Sequence, residues 1–196
     1  KWFAEAPTLG LGLELELAAI RSALAASAAL PDSVYVAINA AAETILSPDL
    51  ATALAGVDGR RIVLELTEHA AVSDYDGLVA AIASYRARGV RLAIDDAGAG
   101  YSGLQHIVRL KPDIIKLDMA LTRNVDTDPA RRALAAALIH FARETDCQIL
   151  AEGIETDEER RTLKLLGVAK GQGYHLGRPM ALADAIALCA PVTKVA

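Results

Sequence analysis

Oxygen-bearing side chains recur along this 196-residue chain, each at the end of a short apolar segment. The apolar segments span residues 34–39, 61–68, 90–96, 113–118, 148–153 and, more weakly, 169–176. The polar side chains at their ends are Asn39, Glu65, Glu68, Asp95, Asp96, Asp118, Glu152 and Gln172. Carboxylate and amide groups in such numbers suggest metal binding or acid–base chemistry, provided that the fold brings them together.

Helix-length segments lie between these apolar segments. Residues 76–89 have helical spacing and end in glycine, residues 129–145 begin with a proline, and residues 157–167 begin with acids and end in glycine. Strands that alternate with helices predict a parallel sheet. In a parallel barrel all strand ends meet at one rim, where active sites lie. We therefore expect the polar side chains to share one mouth of a (β/α) barrel.

The donor set predicts a site for hard divalent cations. Several carboxylates at one rim repel one another unless cations neutralise them. Adjacent aspartates point to opposite faces of a regular strand, so Asp95 and Asp96 can both enter the site only if the strand bends there. Two ions about 3.5–4 Å apart would activate a water and stabilise the leaving oxygen of a phosphodiester. The oxygen donors that suit Mg²⁺ or Mn²⁺ are Asn39, Glu65, Asp95, Asp96 and Asp118.

Simpler interpretations remain open for individual residues. Each acid could be a solvated loop carboxylate or the N-cap of a helix. Lys116 shares a strand face with Asp118, and it either neutralises the rim or donates to the attacking water or a phosphate oxygen. These two roles of Lys116 are compatible. Gln172 could be an ordinary polar loop residue.

The glycines after the paired aspartates support a second hypothesis. Gly98, Gly100 and Gly103 fit the G-x-G-x-x-G pattern of dinucleotide-binding folds. A bound pyrophosphate would then face Asp95 and Asp96, and two β-then-α units already precede the motif. Both observations disfavour dinucleotide binding.

The composition of the chain limits its class of protein and its partners. Hydrophobic residues make up 53% of the chain and charged residues 23%, which is typical of globular proteins. The net charge of -5 argues against a nucleic-acid polymer as partner, and no apolar run is long enough to span a membrane. Two cysteines are too few for a disulfide framework. We expect one domain over residues 1–196, in the cytoplasm and without membrane contact.

Several segments together resemble the EAL domain of bacteria. They are "INA", "LELTE", "IDDAGAGYSGL", "IKLD", "AEGIET" and "QGYHLGRP", and they cover essentially the whole chain in the right order. The resemblance implies a TIM-like (β/α) barrel that hydrolyses cyclic di-GMP to a linear dinucleotide with two Mg²⁺ or Mn²⁺ ions. It implies that the metal ligands are Asn39, Glu65, Asp95, Asp96 and Asp118. It further implies that Lys116 contacts the nucleophilic water, that Glu152 is a general base or organiser, that Gln172 belongs to the site, and that Glu68 and Glu155 support the catalytic loop.

The Glu-Ala-Leu motif of that family is absent. Residues 1–17 resemble the segment that follows it, so we expect a barrel that is incomplete at the N-terminus. The motif strand would carry a further metal-binding glutamate and a phosphate-binding arginine. Glu14 and Glu16 do not replace that glutamate, because they lie in a helix-like segment. We expect the 196-residue chain to be inactive without the motif, and to be fused to upstream sensory or diguanylate cyclase-like domains.

A second departure concerns the loop after the paired aspartates, which in the family usually reads "DFGTGYSSL". Ala97, Ala99 and Gly103 replace an aromatic residue, a threonine and a serine. The lost hydroxyls remove partners for Glu68, and the small residues favour a more mobile loop. Such loops gate catalysis and in this family often take part in dimerisation. The alternative function is therefore a receptor that binds cyclic di-GMP without cleaving it.

Overall fold

The computed structural model describes residues 2–67, 72–97 and 101–189, without the side chains of Thr67, Asp96, Tyr101 and Ser102. Its six strands all run parallel. They are β1 (Val36–Asn39), β2 (Ile62–Thr67), β3 (Arg91–Ala97), β4 (Ile114–Leu117), β5 (Gln148–Ala151) and β6 (Lys170–Gly171). The six predicted strands are confirmed, although β6 is much shorter than residues 169–176. The chain turns after Gln172, where the His175 amide donates to the Ile154 carbonyl.

Helices connect the strands and cover the outer face of the sheet. They are α1 (Trp2–Glu5), α2 (Gly12–Ser27), α3 (Ala42–Leu46), α4 (Pro48–Ala53), α5 (Tyr75–Arg86), α6 (Tyr101–Leu110), α7 (Met119–Thr122), α8 (Pro129–Glu144), α9 (Asp157–Leu166) and α10 (Leu182–Cys189), with 3-10 turns at Ala6–Leu9 and Gly59–Arg61. The three predicted helices are found as α5, α8 and α9. Gly167 ends α9 in the left-handed conformation, at φ 104°.

Each strand pairs with its neighbour in the sequence, in the order β1-β2-β3-β4-β5-β6. A dinucleotide-binding sheet reverses its strand order at a switch point, so this sequential order excludes that hypothesis. Among the described residues, β1 pairs only with β2 and β6 only with β5, which makes the sheet an open arc. The predicted (β/α) architecture with an incomplete ring is confirmed.

The inward face of the arc is built in layers, because side chains alternate along each strand. The middle layer is an apolar cluster of Val63, Ala93, Ile114 and Leu150, one residue from each of β2 to β5. Two residues further along these strands lie Glu65, Asp95, Lys116 and Glu152. The acids and the lysine therefore share the mouth at the carboxyl ends of the strands. The main core lies between the outer face and the helices.

Strand β3 is irregular at the paired aspartates. Ile94 pairs with Ile115, whereas the next pair joins Ala97 to Leu117. β3 therefore advances by three residues while β4 advances by two, which is the pattern of a β-bulge. The bend expected at Asp95 and Asp96 is present in the backbone.

Candidate active site

Lys116 lies at the centre of the polar mouth. Its Nζ atom is 2.9 Å from Glu65 Oε2, 2.8 Å from Asp95 Oδ1 and 2.9 Å from Glu152 Oε1. The lysine side chain is 6% exposed, and its three partners are between 11% and 14% exposed. The strands β2, β3, β4 and the end of β5 thus each contribute one charged group to a single buried cluster.

The pKa of Lys116 is raised above its ordinary value of 10.5. Burial alone would lower this pKa, but hydrogen bonds to Asp95, Glu152 and Glu65 outweigh that effect. The ammonium group is therefore retained throughout the neutral and mildly alkaline range. Lys116 is the neutralising cation that one of the two sequence interpretations predicts. An ammonium has three N–H donors and all three are directed at carboxylates here, so donation to a water or phosphate oxygen would replace one of these contacts.

Glu152 directly follows β5 and is oriented from two sides. Its backbone N–H donates to the Leu117 carbonyl at 3.0 Å, which continues the pairing of β5 with β4. The Gln172 side-chain amide donates to Glu152 Oε1, the oxygen that also faces Lys116. The Gln172 backbone N–H donates to the Ala151 carbonyl at 2.8 Å. Gln172 therefore contacts a residue of the mouth, and its role in a functional site stays a prediction.

Two other predicted ligands lie at the ends of neighbouring strands. Asn39 ends β1, pairs in register with Glu65 and has an exposed side chain. Asp118 follows β4 and caps α7, with its Oδ1 accepting the Ala120 N–H at 2.7 Å. The helix N-cap interpretation is thus correct for Asp118. Capping occupies one carboxylate oxygen and does not exclude a ligand role for this residue.

Some predicted residues lie outside the described part of the chain or away from the lysine cluster. Glu68, the Asp96 side chain, Gly98, Ala99 and Gly100 are outside it. Glu155 forms an ion pair with Arg123, and both side chains are more than a third exposed. Its predicted support of the catalytic loop stays a prediction.

Glu16 lies in α2, as expected from the sequence. It caps α3, because its Oε2 accepts the Ala41 N–H at 2.9 Å and the Thr44 hydroxyl at 2.6 Å. It therefore plays no part in the lysine cluster. Glu14 lies in the first turn of the same helix.

The chemistry of the mouth suits a hard cation. One ammonium group faces three carboxyl groups, so additional positive charge would stabilise the cluster. All donors are oxygens, which Mg²⁺ and Mn²⁺ prefer. Within residues 2–67, 72–97 and 101–189, no three Asp, Glu, His or Cys side chains already form a group able to hold a metal ion. The residue types fit the expected ions, while Lys116 occupies the centre of this arrangement.

Two buried residues in the segments that follow β4 and β5 were not predicted from the sequence. The Thr122 hydroxyl donates to the backbone carbonyl of Glu152, and Thr122 is completely buried. Glu159 is 1% exposed and forms a capping box with Thr156 at the start of α9. The T-x-x-E pattern of residues 156–159 is a recognisable signal for the second feature. Thr122 has no comparable local signal.

Comparison with known proteins supports the relationship that the motifs suggest. The sequence model of the EAL domain family matches residues 1–179. Escherichia coli PdeG, named a probable cyclic di-GMP phosphodiesterase, is 30% identical over 172 residues, which are 85% of this chain and 34% of PdeG. The chain spans between 17% and 34% of the length of the first curated relatives it matches.

Solved structures with the same fold contain cyclic di-GMP. Klebsiella pneumoniae BlrP1, in a manganese and cyclic di-GMP complex, matches with a TM-score of 0.78 and 31% identity, over 86% of this chain and 45% of that one. The phosphodiesterase PaMucR, in a cyclic di-GMP complex, matches with a TM-score of 0.83 and 27% identity, over 94% of this chain and 84% of that one. MucR is a Pseudomonas aeruginosa protein. In the part of this chain that the structure describes, no helix has the length and apolar character needed to cross a bilayer.

Proposed function

The chain belongs to the EAL domain family, and we propose that it hydrolyses cyclic di-GMP to the linear dinucleotide as part of a bacterial signalling protein. The observation that carries this proposal is the position of Lys116 between Glu65, Asp95 and Glu152 at the mouth of the barrel. Related proteins of the same fold hold cyclic di-GMP. A cyclic dinucleotide carries two phosphodiester groups, which need positive charge and an activated water for cleavage.

In this proposal Lys116 and Glu152 divide the work at the phosphodiester. Lys116 keeps its proton and exchanges one of its three carboxylate contacts for the attacking water or a phosphate oxygen, which stabilises the charge that develops there. Glu152 accepts the proton of the water. Lys116 and Gln172 both contact Glu152 Oε1 and hold this carboxylate in position before substrate arrives. A fixed base avoids reorganisation during the reaction.

We propose Mg²⁺ or Mn²⁺ as the metal, with two ions held by Asn39, Glu65, Asp95, Asp96 and Asp118. When bound, such ions would neutralise phosphate charge and activate water. The chain's own contribution is visible in two of these residues. Lys116 pairs with the carboxylates of Glu65 and Asp95 at the mouth and so orients both of them. Solved structures of BlrP1 contain manganese or calcium with cyclic di-GMP.

The wider setting of the domain also stays a proposal. We propose cyclic di-GMP as its partner, with no nucleic-acid polymer and no membrane contact by this domain. We further propose a single barrel domain over residues 1–196, a cytoplasmic location, fusion to upstream sensory or diguanylate cyclase-like domains, and homodimerisation. MucR, one of the relatives, is named as a bifunctional diguanylate cyclase and phosphodiesterase.

Chromatography of the product tests the proposed function. The full-length protein is incubated with cyclic di-GMP and Mn²⁺, and linear dinucleotide is followed over time. We expect metal-dependent formation of the linear product, which a chelator should abolish. Tight binding without product would contradict hydrolysis and support the receptor function. Binding of neither the cyclic nor the linear dinucleotide would contradict both.

The receptor function is the second candidate, and the altered loop favours it. Ala97, at the end of β3, is 1% exposed where the family usually has an aromatic side chain. Ala99 lies outside the described residues and replaces a threonine. If loop order limits turnover, Ala99→Thr should raise the hydrolysis rate, because it restores a hydroxyl as a partner for Glu68. Tight binding without product in both proteins would establish the receptor.

A further inference from the structure

The segments that follow β4 and β5 are tied together behind the mouth. The first segment runs from Asp118 through α7 to Asn124, and the second runs from Glu152 to Glu159 in α9. Each begins with a candidate site acid. The relative position of these two acids therefore depends on contacts between the two segments as well as on the pairing of their strands.

Glu159 supplies the central contact. Its Oε1 accepts the Asn124 N–H at 2.9 Å, and its Oε2 accepts the N–H groups of Glu155 at 2.9 Å and Thr156 at 3.1 Å. Of the three bonds that the Glu159 carboxylate accepts, a capping box requires only the one from the Thr156 N–H. The bond to Asn124 joins α9 to the other segment, 35 residues earlier. Glu159 is 1% exposed, so these backbone donors satisfy a carboxylate that would be costly to bury alone.

Further contacts join the same two segments. The Thr122 hydroxyl donates to the carbonyl of Glu152 itself. Gly153 has φ 64°, and a Cβ atom there would lie 2.5 Å from Met119 Cβ. The two segments thus approach so closely that a side chain at position 153 would force them apart. Arg123 of the first segment forms an ion pair with Glu155 of the second.

We propose that Glu159 is a positioning residue for catalysis, which rests on the proposed function. Its buried carboxylate fixes the segment after β5 against the segment after β4, and thereby sets where Glu152 stands relative to Asp118. Thr122 joins the same two segments through its hydrogen bond to the Glu152 carbonyl. Neither residue touches the reacting atoms in this account. Both act through the placement of Glu152.

Glu159→Gln separates positioning from helix capping. The amide oxygen of Gln can still accept the Thr156 N–H, but its NH₂ group cannot accept the Asn124 N–H. The matched control is Thr156→Ala, which removes the hydroxyl oxygen that accepts the Glu159 N–H and leaves the bond between Glu159 and the Asn124 N–H. Thr122→Val keeps the shape of the side chain and removes the hydroxyl. It tests the second contact between the segments, which is the hydrogen bond from Thr122 to the Glu152 carbonyl.

In the full-length protein, Glu159→Gln and Thr122→Val should lower kcat by about 10-fold to 100-fold with little change in KM, because a misplacement of roughly 1 Å can cost that much in rate. Thr156→Ala should lower the melting temperature but leave kcat unchanged. Amide hydrogen exchange should show that Asn124 loses protection in Glu159→Gln and keeps it in Thr156→Ala.

Two results would overturn the inference. One is unchanged protection of Asn124 in Glu159→Gln, and the other is an equal loss of kcat in Glu159→Gln and Thr156→Ala. If the wild-type protein forms no linear product, the proposed function fails and catalytic positioning fails with it. The exchange data would still show separately whether Glu159 ties the two segments.

Discussion

The Nζ atom of Lys116 lies 2.9 Å from Oε1 of Glu152, so the candidate proton acceptor is paired with a buried cation on the neighbouring strand. The same ammonium contacts Glu65 and Asp95. One lysine therefore connects the candidate base with two candidate metal ligands. Any change in its charge should affect both the stability of the barrel and the chemistry at its mouth.

Replacing Lys116 by Met should destabilise the protein strongly at neutral pH. Loss of one partner of a buried ion pair typically costs about 3–5 kcal/mol, because uncompensated charge remains. The raised pKa of Lys116 means that its stabilising contribution is fully present below 10.5 and is lost only as the pH rises through the folded pKa. Urea denaturation at neutral pH measures the loss of unfolding free energy.

Lys170→Met is the matched control for that experiment. Lys170 also faces the inside of the arc, where it contacts the Tyr35 ring at 5.3 Å and Gln148 at 2.9 Å. In the described part of the chain it has no carboxylate partner, so its loss should cost about 1 kcal/mol or less. Equal losses in the two variants would contradict a special role for the Lys116 cluster.

Divalent metal should stabilise the full-length protein. Mg²⁺ or Mn²⁺ at a hundredfold over Kd should add about 2.7 kcal/mol, because the ion binds only the folded state. Asp118→Asn should weaken this effect, although asparagine is about as good an N-cap as aspartate. Asp95→Asn should weaken it as well. Thermal unfolding with and without metal measures the difference.

Asp128→Asn provides the control for Asp118→Asn. Asp128 also caps a helix, α8, by accepting the N–H groups of Ala130 and Arg131. It is not among the predicted ligands. If Asp128→Asn reduced the metal effect as much as Asp118→Asn, the loss would reflect capping and not metal binding.

Glu159 should make stability depend on pH in the acid range. Burial opposes the charged form of Glu159, but the N–H groups of Asn124, Glu155 and Thr156 outweigh it and lower the pKa below 4.5. The stabilisation is present above 4.5 and is lost as the pH falls through the lowered pKa. Glu159→Gln should therefore cost about 1–3 kcal/mol at neutral pH, with the difference shrinking in acid.

Urea denaturation at neutral and at acid pH measures this difference. Thr156→Ala removes no titratable group, so its cost should be nearly the same at both pH values. A Glu159→Gln cost that did not change with pH would show that the carboxylate charge contributes nothing to the tie.

The strands and their polar ends are predictable from the sequence, because apolar runs and strand alternation are local signals. With the expectation that parallel strand ends meet at one rim, those signals place Glu65, Asp95 and Glu152 at one mouth and Lys116 on the strand face of Asp118. The bend at Asp95 follows from the need to bring adjacent acids together, and the β-bulge provides it. The short β6 is not predictable in this way, because the turn after Gln172 is set by hydrogen bonds to Ile154, which is distant in the sequence.

The tie between the segments after β4 and β5 is not predictable for the same reason. Glu159 resembles any acid in the first turn of a helix, and only its bond to Asn124 reveals the second function. Thr122 contacts the Glu152 carbonyl across 30 residues of sequence. Contacts of this kind depend on how two loops pack, which neither composition nor periodicity encodes.

The most direct test of the account compares Glu152→Gln with Glu158→Gln in the full-length protein. Glu158 is an exposed residue of α9, outside the mouth, so its loss should leave hydrolysis unchanged. Glu152→Gln should lower the rate of linear product formation by about 10²–10⁴, the usual cost of losing a general base. Calorimetry should show that this variant still binds cyclic di-GMP. Hydrolysis by Glu152→Gln at the wild-type rate would contradict the assignment of proton transfer to Glu152.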